Sequence, residues 1–179
     1  MPHLTPMPFV PPGPRDERWA DIDGFTGKYW ISTHGRVFAR TRSFIGLKKT
    51  YVNNTYLRVT LTAPNSKIVT HDIHVLIAKA FLGPPLPGQI ALHNDGNPTN
   101  SVLSNIRWGT YSDNAKDRVK HGNNENANKT ECKYGHPFTP ENTTYDRGPN
   151  GERWRVCVAC RRRRNAAGWQ RRKARREGR

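Results

Sequence analysis

The chain has 179 residues, with 30 Lys and Arg against 14 Asp and Glu, and a formal charge of +16. Only 34% of the residues are hydrophobic and no run approaches the ~18 apolar residues of a membrane span, so we expect small cores and no transmembrane helix. The positive charge favours a polyanionic partner such as nucleic acid over an acidic protein or an anionic membrane. No apolar segment follows a basic start, which favours a cytoplasmic protein over a secreted one.

Proline dominates the amino-terminal segment, since six of the 14 prolines lie in residues 1–14. This composition predicts a disordered arm over residues 1–17. Short β-type runs punctuated by Gly and Asn come next. They predict a small antiparallel sheet, with strands at residues 29–32, 36–39 and 56–61.

An amphipathic helix is predicted over residues 71–82, because its apolar residues recur at the helical spacing i, i+3, i+4, i+7 and i+8. The sequence Gly83-Pro84-Pro85 ends it. After this helix we predict two strands, at residues 89–93 and 106–108, separated by an Asn- and Gly-rich loop.

A second helix is predicted over residues 111–121, where Thr110 and Asp113 fit a capping box. Strand alternation places His93 on the face opposite Leu92, so that His93 faces a cleft while Leu92 packs. Two strands and a helix could bring His93 together with two later amides, Asn105 and Asn114. Each of the three is also compatible with a plain surface or turn position.

The stretch HNDGNPTNSVLSNIRWGTYSDN, preceded by IHVLIAKAFLG, resembles the HNH endonuclease family in the form in which asparagine replaces the last histidine, as in homing and phage nucleases. Upstream, WADIDGFTGKYWISTHGRVFA resembles the small NUMOD-type DNA-binding domain often fused to these nucleases. We therefore expect a DNA-binding domain over residues 18–66 and a ββα-metal nuclease domain over residues 67–121.

The resemblance implies an endonuclease that hydrolyses the phosphodiester bonds of double-stranded DNA. It implies that His93 is the general base that activates water and that Asn105 helps to orient its imidazole. It further implies that Asn114 ligates a catalytic divalent ion, for which Mg²⁺ suits an amide oxygen.

The chain departs from the family pattern at the residue before the histidine. That residue is commonly an acidic metal ligand in the family, whereas here it is Leu92, which cannot ligate. Asp117 or Asp95 could substitute, or the nuclease could be weak or inactive. A non-catalytic DNA-binding regulator on the same scaffold is the main alternative, and an RNA-binding protein is a further one.

A zinc site is predicted in residues 132–160, after a polar linker over residues 122–131. Cys132 and His136 form a C-x₃-H pair, and Cys157 and Cys160 form a C-x₂-C pair twenty residues further on. Two close pairs of such ligands are typical of tetrahedral structural Zn²⁺. A redox-active C-x-x-C and a disulfide with one spare thiol are the alternatives. The unit resembles, more loosely, the zinc-binding appendage of some HNH nucleases.

A basic tail is predicted over residues 161–179, which hold ten Lys and Arg and one Glu. It lacks the apolar face that binding to a membrane surface requires. The tail is either a solvated segment, disordered or helical, or a DNA contact in which side chains bind phosphates. The predicted DNA-binding residues are Arg161, Arg162, Arg163, Arg164, Arg171, Arg172 and Lys173.

The predicted fold class is therefore α+β: a small antiparallel sheet domain, a ββα-metal nuclease motif and a carboxyl-terminal zinc module. The sequence leaves open the recognition sequence, nicking against double-strand cleavage, and the oligomeric state.

Overall fold

The computed structural model describes residues 11–149 and 151–178. The first ten residues of the predicted arm lie outside the described residues. The rest of that arm contacts the protein, because the Arg36 guanidinium donates hydrogen bonds to the carbonyls of Pro12 at 2.9 Å and Pro11 at 3.4 Å, and forms an ion pair with Glu17. A disordered arm therefore stays a prediction for residues 1–10 alone.

The chain forms two compact units that divide between Asn123 and Asn124. The first unit contains both predicted domains, residues 18–66 and 67–121, and the second contains the predicted zinc module and tail. Among the described residues, no helix is long and apolar enough to cross a membrane.

A four-stranded antiparallel sheet opens the first unit. Its strands are β1 (Trp19–Asp21), β2 (Tyr29–Ser32), β3 (Val37–Arg40) and β4 (Ile45–Lys48), and they pair in chain order. Strands β2 and β3 are almost completely buried, which agrees with their near-continuous apolar sequences.

A three-stranded antiparallel sheet follows, with β5 (Tyr51–Asn53), β6 (Tyr56–Thr62) and β7 (Ile68–Asp72) in chain order. The first helix, α1, is Ile73–Leu82 and starts two residues later than predicted. The difference arises because His71 pairs with Val59 and extends β7 up to the helix.

The core of the first unit surrounds α1. This helix contacts β1 and β2 of the first sheet, β6 and β7 of the second, and the hairpin that follows it. Its inward face and both sheets contribute side chains that are no more than 1% exposed. These side chains are Ile31, Val37, Val59, Leu61, Ile73 and Ile77.

The predicted hairpin and second helix are present. Strand β8 (Gln89–His93) pairs antiparallel with β9 (Ile106–Thr110), and helix α2 (Tyr111–Lys120) follows directly. The capping box forms as expected: the Thr110 hydroxyl accepts from the Asp113 amide at 3.2 Å, and the Asp113 carboxylate accepts from the Thr110 amide at 2.9 Å.

The second unit is built from a hairpin and a long helix. It begins with a short helix, α3 (Glu125–Asn128), inside the segment predicted as a linker. Strand β10 (Thr143–Arg147) pairs with β11 (Arg153–Cys157), and helix α4 (Val158–Glu177) follows. The predicted tail is therefore helical, and its helix starts inside the predicted zinc module. The two units together confirm the α+β fold class.

Gly35, in the β2–β3 turn, packs closely against the backbone of Ser101. Gly35 has φ +79°, and a Cβ added there would lie 2.7 Å from the Ser101 carbonyl oxygen. We expect Gly35→Ala to lower the free energy of unfolding by about 1–2 kcal/mol through the left-handed backbone and by a further ~1–3 kcal/mol through overpacking.

Gly27→Ala is the matched control, because Gly27 has φ +75° with no atom within 4 Å of an added Cβ. Urea denaturation should show a clearly smaller loss for Gly27→Ala than for Gly35→Ala. Equal losses would mean that the contact with Ser101 adds nothing.

Candidate functional site

The loop after β8 is closed by a buried amide. Asn105, which is 7% exposed, accepts a hydrogen bond from the Asp95 amide at 3.0 Å and donates to the Asp95 carboxylate at 2.9 Å and to the Asn100 carbonyl at 2.8 Å. These partners all belong to the loop. Asn105 therefore braces the segment that follows His93 instead of bonding to its ring, and its predicted role in orienting the imidazole stays a prediction.

Asp95 is the charged centre of this loop. Its carboxylate also accepts from the Asn97 amide at 2.8 Å and from the Asn100 side chain at 2.6 Å. Although desolvation alone would raise it, the hydrogen bonds from Asn100, Asn97 and Asn105 lower the pKa of Asp95 to about 2. Asp95 therefore shapes the turn, and its oxygens already have three donors.

His93 ends strand β8, opposite Ile106 of β9. Its ring centroid lies 4.7 Å from that of His74 and 6.2 Å from that of Tyr56. Within the described residues its Nε2 is buried without a hydrogen-bond partner. The Nδ1 of the same ring is not in this state. Burial lowers the pKa of His93, and the negative charge of Asp95 opposes that shift.

The other face of the hairpin meets α2. Leu92, which is 5% exposed, pairs with Arg107 of β9, and the Arg107 guanidinium forms an ion pair with Asp117 of α2. Asn114 precedes Asp117 by three residues, so the two lie on the same face of the helix. The structure thus groups Asn114 with Asp117, while it groups His93 with His74 and Tyr56. No hydrogen bond between described residues joins the ring of His93 to Asn114.

Two oxygen donors on α2 are candidate ligands of a catalytic ion. Asn114 offers a neutral oxygen and Asp117 a carboxylate one helical turn later, although Arg107 already pairs with that carboxylate. Mg²⁺ usually keeps several waters and takes one or two carboxylates together with substrate phosphates. The two donors fit an ion held in that way, whereas Leu92 presents hydrocarbon where the family commonly has an acid.

The four predicted zinc ligands converge in the second unit. The ligand atoms of Cys132, His136, Cys157 and Cys160 all lie within 4.8 Å of one another, and all three cysteines are free. The sulfurs of Cys132 and Cys160 are 3.6 Å apart, and the His136 Nδ1 lies 3.4 Å and 3.2 Å from them. A tetrahedral Zn²⁺ with metal–ligand bonds of about 2.1–2.3 Å requires ligand separations of roughly 3.5–3.8 Å. The cluster fits a structural zinc ion.

One residue that the sequence did not indicate ties this cluster together. The Asn142 side chain donates to the Pro137 carbonyl at 2.6 Å and to the Cys157 sulfur at 3.5 Å, and it accepts from the Ala159 amide at 3.0 Å. Asn142 therefore links the loop that carries His136 to the first turn of α4. Such partners outside the ligand set fix ligand orientation in metal sites.

The predicted DNA-binding residues lie along α4 and differ in their surroundings. Arg161 forms an ion pair with Asp146, and the Arg163 guanidinium lies 4.7 Å from the centre of the Tyr134 ring. Both contacts hold side chains within the second unit. Lys173 lies 3.7 Å from Glu177. The remaining predicted residues are exposed: Arg162, Arg164, Arg171 and Arg172.

The two-stranded antiparallel hairpin followed directly by a helix, with a histidine at the end of the first strand, is the ββα arrangement that the sequence predicts. Residues 64–116 match the HNH endonuclease family and residues 17–62 match the NUMOD4 motif. The two matched segments follow each other in the chain, with the NUMOD4 motif in front of the HNH segment.

Two relatives match part of the chain. The chain is 32% identical over 104 residues to DNA endonuclease I-HmuI of Bacillus phage SP01, which covers 58% of this chain and 59% of that protein. It is 30% identical over 105 residues to an uncharacterized HNH endonuclease of Acanthamoeba polyphaga mimivirus, which covers 59% of this chain and 31% of that protein. The chain therefore spans less than two thirds of either relative.

A solved structure shares the fold. It describes DNA binding and cleavage by the HNH homing endonuclease I-HmuI, and it aligns with a TM-score of 0.54 at 23% identity over 81% of this chain and 82% of that chain.

The loop network predicts a specific pH dependence of stability. Because the pKa of Asp95 falls from 3.8 to about 2 on folding, its contribution is present above pH ~4 and is lost as the pH falls toward 2. We expect Asp95→Asn to reduce the free energy of unfolding at pH 7. The difference from wild type should shrink between pH 4 and pH 2 in urea titrations.

Asp23→Asn, which makes the same substitution at an exposed position outside this loop, is the control variant. A difference between wild type and Asp95→Asn that stays constant down to pH 2 would contradict the proposed charge-dependent bracing of the loop.

Proposed function

We propose that the chain is a DNA endonuclease that hydrolyses phosphodiester bonds with a divalent ion, and that His93 is its general base. The observation that carries the proposal is the position of His93 at the end of β8 in the HNH-matched segment, with its Nε2 buried. I-HmuI, to which the chain is similar, is by name a DNA endonuclease, which supports the same substrate class.

The protonation state of His93 suits a base. Burial lowers its pKa below the ordinary 6.5, so the imidazole is neutral at pH 7 and can take a proton from water. The loop braced by Asn105 and Asp95 fixes the chain directly after this ring. Positioned base catalysis of this kind contributes roughly 10²–10⁴-fold to a rate.

Asn114 is the proposed ligand of the divalent ion, with Asp117 as the carboxylate three residues later on α2. Mg²⁺ is the proposed ion because both donors are hard oxygens. A bound divalent ion supplies charge stabilisation for the phosphoryl and leaving oxygens of a phosphodiester. Arg107 would place a further positive charge on the same face of the hairpin.

Double-stranded DNA is the proposed partner, and two basic surfaces support it. One is the exposed side of α4. The other is a hollow of about 430 Å³ beside the first sheet, whose lining residues include four cations and no acid. Phosphate contacts of this kind give affinity that falls steeply with salt. The four cations are Lys28, Arg40, Arg42 and Lys48.

Structural Zn²⁺ is the proposed occupant of the Cys132, His136, Cys157 and Cys160 cluster. A unit of this size has little apolar core, and Cys157 is its one hydrophobic side chain classed as buried among the described residues. Metal binding would therefore provide much of its folding free energy.

A second function is favoured by one observation. Leu92 places an alkyl side chain where the family commonly has an acidic ligand, so a DNA-binding regulator that has lost its metal is the alternative. The two differ in whether the protein cleaves DNA.

The decisive experiment is a plasmid nicking assay with and without Mg²⁺. We expect Mg²⁺-dependent nicking by wild type and a loss of about 10²–10⁴-fold in the His93→Ala variant. DNA affinity should stay within about twofold, because the substitution removes no contact to phosphate. His34→Ala, in the β2–β3 turn, is the control and should nick at the wild-type rate. Equal turnover by His93→Ala would remove His93 from the mechanism, and an inert wild type would favour the regulator.

The zinc proposal predicts a metal-dependent fold of the second unit. We expect the purified chain to hold about one equivalent of zinc and the Cys157→Ser variant almost none, measured by atomic absorption. Asn142→Ala keeps all four ligands and should weaken zinc binding by about 10–100-fold. Stoichiometric zinc in Cys157→Ser would contradict the assignment of the ligands.

A further inference from the structure

Three aromatic rings from distant parts of the chain meet beside the hairpin. Tyr56 starts β6, His74 lies in the first turn of α1, and His93 ends β8. The rings of Tyr56 and His74 stack at 5.1 Å with an interplanar angle of 27°, and the ring of His93 lies 4.7 Å from that of His74. Tyr56 is 39% exposed, so it covers the two histidines from the solvent side.

Each of the two histidines has a buried ring nitrogen without a partner among the described residues. His74 is only 6% exposed and its Nδ1 is buried, and within the described residues that nitrogen has no hydrogen-bond partner. The Nε2 of His93 is in the same state. A buried polar atom without a partner costs about 1–3 kcal/mol, so the ring nitrogens of His74 do not stabilise the core. What His74 supplies to His93 is the packing of its ring, whose centroid lies 4.7 Å from that of His93.

We propose that His74 is a positioning residue for His93, and that Tyr56 clamps the pair so that the Nδ1 of His93 faces the attacking water. The proposal rests on the proposed function of His93 as the general base. His74 contacts His93 and not the substrate. It acts by holding the His93 ring in one orientation and by keeping water away from the buried side of that ring.

The electrostatics of the cluster fit this role. Desolvation, together with the neighbouring His93, lowers the pKa of His74 to about 4; Asp72 opposes the shift and Arg58 adds to it. His74 is therefore uncharged at neutral pH and adds no repulsion when His93 accepts a proton. Asp72 and Arg58 pair with each other at 2.6 Å, which leaves Asp95 as the charge that acts on His93.

Tyr56 and the two histidines belong to different matched segments of the chain. Tyr56 lies in the segment that matches the NUMOD4 motif, residues 17–62, whereas His74 and His93 lie in the segment that matches the HNH family. Tyr56, one of the two rings that surround the proposed base His93, therefore comes from outside the segment that matches the HNH family.

The experiment compares variants at position 74 in the full chain by two measurements. His74→Ala removes the ring and His74→Phe keeps an aromatic ring without nitrogen. His71→Ala is the control. Like His74, the half-buried His71 has a buried ring nitrogen without a partner in the described part of the chain, but its ring contacts Phe25 instead of His93, with 5.6 Å between the ring centroids. Circular dichroism melts verify that each variant folds.

The first measurement is an NMR titration of the His93 ring protons without DNA. Because His74→Ala admits water to the ring, the midpoint of the His93 titration should rise toward 6.5, while His74→Phe and His71→Ala should leave it close to wild type. The acidic limb of the nicking rate should move in parallel, because protonated His93 cannot act as a base. The groups that face the pair are Tyr56, Arg58, Asp72 and Asp95, and all are unchanged in these variants.

The second measurement is plasmid nicking at saturating Mg²⁺. We expect His74→Ala to lower kcat at least tenfold with KM within twofold, and His74→Phe to restore most of the rate. An unchanged His93 titration and an unchanged rate in a folded His74→Ala variant, together with a wild-type rate in Tyr56→Ala, would overturn the proposal. So would a His74→Phe variant as slow as His74→Ala. A wild type that nicks no DNA, with the titration difference intact, would overturn the endonuclease function and leave the contact between the histidines standing.

Discussion

The packing of α1 is the constraint on which the first unit depends. One apolar stripe of this helix, with Ile73 and Ile77 fully buried, contacts both sheets and the β8–β9 hairpin. His74 directly follows Ile73 in the first turn of α1, so the helix that closes the core also brings an imidazole to His93. Because burial of this stripe fixes the rotation of the helix, the position of His74 follows from the apolar pattern and not from any polar bond.

Local patterns in the sequence predicted a large part of this unit. The hairpin, the second helix and its capping box follow from alternation and from Thr110 and Asp113, which interact within four residues. The start of α1 was wrong by two residues, because His71 and Asp72 fit a helix by periodicity but pair with β6. Cross-strand pairing depends on a partner distant in the chain, which periodicity within one segment does not contain.

The site was less predictable than the fold for the same reason. The stacking of Tyr56 on His74 joins residues 18 positions apart on different elements, and no spacing rule indicates it. The partners of Asn105 are likewise set by the three-dimensional course of the loop. The four zinc ligands were found because C-x₃-H and C-x₂-C are local pairs, whereas Asn142, which lies between the pairs, had no such signal.

The start of α4 has a consequence for how the second unit assembles. Cys157 caps this helix and Cys160 lies in its first turn, while the rest carries nine Lys and Arg against one Glu. Like charges at this density disfavour an isolated helix, and the first turn is the costly step of helix formation. In the proposed zinc module the ion would anchor that first turn. The supply of zinc in the cell would then decide whether α4 folds. A shortage of zinc would unfold this helix without any change in the amount of the protein.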